Sequence, residues 1–204
     1  MACIKCRRKV AEIGLPHLAG RLCRDCFIEV IDKRIRKEMR QSGCLNIADK
    51  IIIWDDGTTN AAVCRQIIGG LTIHLKVEVV SKRKTASDDP SQNKFSNDIN
   101  KIVRDGRTTR IVIPWDLEQE SVYDLKSMIS SRGFQRDYPR VIKPLKHVSR
   151  KELELYARIK GIRSGKKAMT VEDRLDKMLA ELEKDSPDIR FALVRAWENI
   201  IRAI

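Results

Sequence analysis

The chain opens with two C-x-x-C pairs, Cys3-Ile4-Lys5-Cys6 and Cys23-Arg24-Asp25-Cys26, separated by sixteen residues. This spacing constrains the N-terminal segment more than any other feature. Each pair presents two thiolates from one turn, and two such turns can close a tetrahedron of sulfur around a single ion. Four thiolates leave no position for water, so the site they form is structural. Three occupants suit the pattern: Zn²⁺, iron in a rubredoxin-like cage, or two disulfides in place of a metal. Tetrahedral preference and the reduced thiols of an intracellular chain favour zinc. His17, between the pairs, is surplus to four sulfurs and is expected to be an exposed loop histidine.

With 204 residues, 42% apolar and 34% charged, the chain can build one α/β domain and a small satellite. No apolar run reaches about 18 residues and the first residues are not a signal peptide, so a cytoplasmic protein without membrane contact is expected. Lys and Arg number 41 against 28 Asp and Glu, a net charge of +13 spread along the chain. A surplus of this kind points to a polyanion, with nucleic acid ahead of acidic lipid.

The cysteine segment runs into an amphipathic helix from Phe27 to Arg40, with Phe27, Val30, Ile31, Ile35 and Met39 at helical spacing. Its other face carries Lys33, Arg34, Lys37 and Arg40, either a phosphate-binding edge or a solvated face. Gly43 is expected to end the helix. The pattern thus divides into residues 1–28 as a four-cysteine knuckle, 29–48 as a basic linker helix and 49–204 as the main domain.

Beyond the linker, strands and helices alternate. Strands are expected at Lys50–Trp54, Leu71–Val80, Arg110–Trp115 and Arg140–Leu145, and helices at about 60–68, near Ile99 and Val103, at 116–131, at 149–160, at 170–185 and from Ser186 onward. Asp116 with Gln119 and Ser149 with Glu152 have capping-box spacing, Val148 and Leu153 can staple the second box, and Gly161 stops that helix. Pro187 is placed in a first helical turn. The polar stretch 81–97 reads as a loop. Alternation of this kind specifies a doubly wound, mostly parallel sheet, whose ligands sit beyond the carboxyl ends of the strands.

One such end is the turn Asp55-Asp56-Gly57-Thr58-Thr59-Asn60. A phosphate-binding turn here needs bare backbone N–H groups at a helix N-terminus. Two carboxylates oppose that use, since each like-charge contact at about 4 Å costs roughly 1 to 4 kcal/mol. Asp55 and Asp56 therefore read as helix-capping residues or as a contact for a cationic partner, ahead of a catalytic pair or Mg²⁺ ligands.

The order of twin C-x-x-C, basic helix, strand and turn, then TTRIVIPWDLEQES, RVIKPLKHVSRKELELYARIKGI and DIRFALVRAWENI, resembles the PP-loop proteins of tRNA 2-thiolation, which modify the wobble uridine. The resemblance covers essentially the full chain and implies the PP-loop, adenine nucleotide alpha hydrolase-like fold. The departures point to a role. Active members carry S-G-G-x-D-S where this chain has residues 55–60, and G-H-N-x-D-D where it has Pro114-Trp115-Asp116-Leu117-Glu118-Gln119. They also use a C-x-x-C pair and a later cysteine for an iron–sulfur cluster or sulfur carriage, whereas the last cysteine here is Cys64. Cys44 and Cys64 lie outside those positions, and Cys64 reads as a core thiol.

What remains resembles the non-catalytic subunit of the cytoplasmic complex, the cytoplasmic tRNA 2-thiolation protein 2 family. The resemblance implies tRNA binding, no catalytic or nucleotide-binding residues, a structural zinc, a catalytic PP-loop thiolase as heterodimer partner, and a ubiquitin-like sulfur carrier. Candidate tRNA contacts are Lys33, Arg34, Lys37 and Arg40 with the loop residues Lys82, Arg83, Lys84, Arg163, Lys166 and Lys167. Two other readings stay open: an ATP-using tRNA-modifying enzyme with Thr58, Thr59 and Asn60 as phosphate donors and Asp116 or Glu118 near a metal, and a zinc-ribbon nucleic-acid regulator.

Overall fold

The computed structural model describes residues 1–41, 50–71, 76–81, 110–129, 141–163 and 174–203. Within these, a short antiparallel ribbon, β1 (Ile13–Gly14) and β2 (Arg21–Leu22), precedes α1 (Arg24–Gln41). The main sheet consists of β3 (Lys50–Asp55), β4 (Lys76–Ser81), β5 (Arg110–Val112) and β6 (Val141–Ile142). Around it lie α2 (Thr59–Leu71), α3 (Leu117–Ile129), α4 (Arg150–Lys160), α5 (Arg174–Asp185) and α6 (Ile189–Ala203).

All pairings in the main sheet are parallel, in the order β4-β3-β5-β6. Ile51 stands opposite Val77 on one side and Arg110 on the other, and Ile111 opposite Val141. The first strand of the sheet is thus interior. The chain leaves it toward β4 and later returns to its other side as β5, so the direction of winding reverses between β3 and β5. In an open α/β sheet this reversal opens a crevice past the carboxyl ends of the two strands.

Side-chain alternation divides the strands between two faces. Ile51, Ile53, Val112 and Ile142 join a core with Val63, Cys64, Ile67 and Ile68 of α2 and Leu153, Tyr156 and Ala157 of α4. Ile111, Ile113 and Trp115 point the other way, against Tyr123 of α3. Helices therefore cover both faces, as a doubly wound sheet requires. Each fully buried Ile or Val contributes roughly 1.5 to 3 kcal/mol relative to an exposed one.

The first core continues without interruption through Phe27, Ile31, Ile35 and Met39 of α1 to Leu22, Ile13 and the cysteine segment. Two half-buried polar ties reinforce this union. Tyr156 donates to Asp32 at 2.6 Å, and Arg34 to Glu152 at 2.8 Å.

The local signals act as their chemistry dictates. Ser149 and Glu152 form a complete capping box, with Val148 and Leu153 fully buried behind it. Gly161 ends α4 at φ 66°, and the N–H groups of Gly161 and Ile162 donate back to Arg158 and Ala157 in a Schellman-type closure. Several boundaries differ from expectation. Helix α1 begins at Arg24, so Cys26 lies inside it. Helix α2 runs on to Leu71, which is helical and not part of the next strand. Strand β5 stops at Val112 and β6 at Ile142, because Pro114 and Pro144, lacking an N–H, cannot extend a ladder. Pro187 lies in the turn ahead of α6, where Asp188 O accepts the first helical bond from Ala192. Gly43, Cys44 and the expected loop and helix over 82–103 fall outside the described residues.

Because Phe27 is 0% exposed within the shared core, Phe27→Ala should lower the unfolding free energy by about 3 to 5 kcal/mol. Hydrogen exchange should then quicken in the amides of β3 as well as α1. Acceleration confined to residues 1–41 would instead mean two independently stable bodies.

Candidate functional site

The cysteine pairs meet across two dissimilar turns. Cys3 and Cys6 belong to a tight turn that Arg7 closes, adopting a left-handed φ of 56° and donating its N–H to Cys3 O at 2.9 Å. Cys23 immediately precedes α1, whose first turn holds Cys26. Ion pairs Lys9–Asp25, Lys5–Glu29 and Arg24–Glu12 join the first turn and the ribbon to the start of α1. All four Sγ atoms lie within 4.8 Å of one another, and Cys6 and Cys23 are 3.9 Å apart. They are free thiols, well beyond the disulfide bond length of about 2.05 Å. A tetrahedron with metal–sulfur bonds of about 2.3 Å has edges of about 3.8 Å, so the four sulfurs fit one ion.

The tetrad also distributes charge unevenly. Burial works against the Cys3 thiolate, but backbone N–H groups of Cys6, Cys23 and Lys5 outweigh it and bring its pKa down to about 6. Cys26 is pushed up to about 12 by burial and by the other three sulfurs. Gathered thiolates repel one another until a cation joins them, which couples metal binding to proton release.

The second site lies at the reversal point of the sheet. After β3, Gly57 N–H donates to Asp55 Oδ1 at 2.8 Å, and Thr58 N–H and Oγ1 donate to Asp56 Oδ1 at 3.1 and 2.6 Å. Both aspartates thus fold back on their own turn. Gly57 takes φ 77°, where a side chain would be strained. Asp55 is additionally paired with Arg65 at 2.9 Å. The cap of α2 is Thr58, whose Oγ1 accepts from Ala61 N–H at 3.3 Å. Asp55 and Asp56 shape the turn before it and do not cap the helix, because their carboxylates are consumed one residue earlier.

From the other side of the crevice comes Asp116, 0% exposed after β5. It forms the expected capping box with Gln119, and its Oδ2 accepts from Asn60 Nδ2 at 3.0 Å and from Arg150 Nε at 3.1 Å. Glu118 accepts from the Arg150 N–H at 2.8 Å. One buried network therefore bridges the two strand ends. Beside it Lys143 pairs with Glu120 at 2.8 Å and lies over the Trp115 and Tyr123 rings. Thr58, Asn60 and Asp116, each a candidate for nucleotide chemistry, are all engaged in these bonds. Cys64 is buried on the core face of α2, and burial pushes its thiol far up, away from reactivity.

The basic candidates on α1 separate. Lys33, Lys37 and Arg40 are exposed, as is Arg163 beyond α4. Arg34 is half-buried between Glu152 at 2.8 Å and His17 Nε2 at 3.1 Å, so its charge is already matched within the fold. His17 is not the exposed loop histidine expected. Its side chain is only 12% exposed, lies 3.4 Å from Glu152 and stacks obliquely on Phe191 at 4.7 Å. Lys82, Arg83, Lys84, Lys166 and Lys167 fall outside the described residues. Local spacing did not reveal a third cluster, in which Lys146 bridges Glu38 at 2.7 Å and Glu198 at 2.9 Å while His147 contacts Glu198 at 2.9 Å. His147 and Lys146 hold the Glu198 carboxyl down to about 2 although burial opposes this.

Glu118 gives a pH test of the crevice. Burial and the neighbouring Asp116 charge raise it from an ordinary 4.5 to about 8. Between these values the folded chain keeps a proton that the unfolded chain has released, so stability falls as pH rises through the window. Glu118→Gln should remove that fall: its stability relative to the wild type should climb from about pH 4.5 to about 8 and level off above. Parallel pH–stability curves would show that Glu118 titrates normally.

No protein-family model matches the chain, and no curated protein matches it. Among solved structures it is similar to the U34-tRNA thiolase NcsA from Methanococcus maripaludis, with its 4Fe-4S cluster. The match has a TM-score of 0.73 at 15% identity and covers 100% of this chain and 88% of that one. At this identity the likeness is one of fold: the described residues share the α/β architecture of that thiolase.

Proposed function

We propose that this chain is a non-catalytic, tRNA-binding subunit in 2-thiolation of the wobble uridine, acting in the cytoplasm beside a catalytic PP-loop thiolase. The observation that carries the reading is the closed turn after β3. In a working phosphate cradle, backbone N–H groups at the helix mouth point outward at the anion. Here those of Gly57 and Thr58 donate inward to Asp55 and Asp56. An arriving phosphate would lose those donors and meet two carboxylates, each opposing it by roughly 1 to 4 kcal/mol. Across the crevice Asp116 accepts from both Asn60 and Arg150 Nε, while Arg150 Nη2 is buried without a hydrogen-bond partner among the described residues. Adenylation and sulfur transfer are therefore assigned to the partner, which a ubiquitin-like carrier would supply with sulfur.

Binding of tRNA is supported by the +13 charge, by exposed Lys33, Lys37, Arg40 and Arg163, and by a fold shared with a U34-tRNA thiolase. Arg34, already paired, is reassigned to structure. Zinc is the proposed occupant of Cys3, Cys6, Cys23 and Cys26. Sulfurs within 4.8 Å suit one tetrahedral ion, whereas a four-iron cluster needs its four cysteines farther apart, one on each iron. The ion would hold the two turns together and take no part in chemistry. No described helix is long and apolar enough to cross a membrane.

Elemental analysis of the purified chain should find one zinc per molecule, and Cys3→Ser or Cys26→Ser should release it. Iron with visible charge-transfer absorption would assign the tetrad otherwise. Since α1 belongs to the main core, losing the metal should also lower the melting temperature of the whole molecule.

The isolated chain should neither bind ATP with Mg²⁺ in calorimetry nor form 2-thiouridine in tRNA with a sulfur donor present. Addition of a catalytic thiolase subunit should yield 2-thiouridine by nucleoside mass spectrometry, at a level dependent on this chain. Thiolation by this chain alone would overturn the non-catalytic reading. Activity persisting in Cys44→Ser and Cys64→Ser would further show that neither cysteine carries the sulfur.

A further inference from the structure

Between α1 and α6 runs an open groove of about 480 Å³, outside the crevice of the sheet. The volume is that of a site for a small organic group. One wall is aromatic: the Phe191 ring, with the His17 ring 4.7 Å away and the Arg34 guanidinium 6.0 Å from its centroid. The amides of Gln41 and Asn199 line the same groove, each offering both a donor and an acceptor. On its two banks stand exposed Lys37 and Arg195, which make no ion pair among the described residues. Exposed Arg202 reaches only to Glu198, at 4.0 Å.

The carboxylates in the groove are largely spent. Glu38 and Glu198 share the Lys146 ammonium at 2.7 and 2.9 Å and both face His147. Arg34 is matched by Glu152. Among the charged residues lining the groove, Arg34, Lys37, Arg195 and Arg202 stand against Glu38, Asp188 and Glu198, so the lining carries a surplus of positive charge. A flat aromatic platform, amides able to read a base edge and unmatched cations on both banks are the parts from which single-stranded nucleic acid sites are built. An acidic peptide would use the cations but leave the platform and amides idle.

We propose that this groove takes an unpaired nucleotide of the bound RNA, its base stacked on Phe191 and its flanking phosphates held by Lys37 and Arg195. The inference rests on the tRNA-binding reading and adds to it the place and the single-stranded character of the contact. It also divides the basic residues of α1: Lys37 enters the groove, whereas Lys33 does not line it.

The test uses the full chain with tRNA carrying 5-bromouridine in its loops. Irradiation followed by peptide mass spectrometry should place the crosslink on Phe191 or His17. Phe191→Ala should weaken binding by about 5- to 100-fold, and Phe191→Trp should restore it, which a merely structural ring would not permit. A Lys37→Glu/Arg195→Glu variant should bind weakly and flatten the log–log salt dependence by about 0.7 to 0.9 for each phosphate it no longer neutralises. Arg174→Glu/Lys177→Glu on α5, an equal charge reversal away from the groove, should bind as the wild type does. Melting curves must show the variants folded. If Phe191→Ala is not, the crosslink and the double charge reversal decide. Crosslinks elsewhere with full affinity in the double variant would overturn the groove and leave the tRNA reading standing. Loss of an acidic protein partner, with RNA affinity unchanged, would make the groove a protein interface and overturn it as well. No tRNA binding by the wild type, alone or with a catalytic subunit, would bring down both.

Discussion

The carboxylate of Glu152, 0% exposed, holds together parts of the chain that are far apart in sequence. One oxygen closes the capping box of α4 on Ser149 N–H at 2.9 Å. The other accepts from Arg34 of α1 at 2.8 Å and lies 3.4 Å from His17 in the cysteine segment. A buried carboxylate stripped of its partners is destabilised by several kcal/mol, so the pose of α4, α1 and the loop before it is mutually enforced. The shared hydrophobic core gives attraction between these elements, and Glu152 gives them register. Together with the Tyr156–Asp32 bond it holds α1 against rotation on its apolar stripe of Ile31, Ile35 and Met39.

Asp116 plays the corresponding part at the mouth of the sheet. It is planted where the winding reverses, at the end of one central strand, and holds Asn60 from the other. The reversal creates a crevice in any doubly wound sheet, and what fills it decides what the protein can do. Here it is filled by a connected set of side chains with opposing charges. A pocket of this composition is stiff, because Asp116 fixes both Asn60 and Arg150 and moving it would strand them.

The features legible in the sequence are those whose cause lies within a few residues. The C-x-x-C pairs, the boxes at Asp116/Gln119 and Ser149/Glu152 and the stop at Gly161 could all be read, because each partner is three or four positions away. The parallel sheet followed from alternation, whereas two of its strands, expected to run through Pro114 and Pro144, stop short of them at Val112 and Ile142. Other features have causes that are distant along the chain. Arg34 looks like its neighbours on a basic helix face, and only Glu152, 118 residues on, removes it from solvent. His17 has the sequence surroundings of a loop residue, and only Phe191 and Glu152 close over it. At the turn the residue types are legible and their division of roles is not. Both aspartates and threonine can cap, and which one does so depends on backbone geometry that no spacing rule encodes. The groove between α1 and α6 is invisible in the sequence for the same reason: its walls are joined only by the folded chain.

The inward-turned N–H groups of Gly57 and Thr58 have a consequence for how the molecule lives among small solutes. A protein that binds a ligand only when folded gains stability with ligand concentration, and its lifetime then follows the supply of that ligand. On the proposed reading, a turn that carries its own carboxylates removes this linkage. Its anion is covalently attached, present at constant effective concentration and never released. In the non-catalytic role proposed above, the chain would be as well folded in an energy-starved cell as in a replete one, and a complex containing it would inherit its nucleotide dependence from its other members alone.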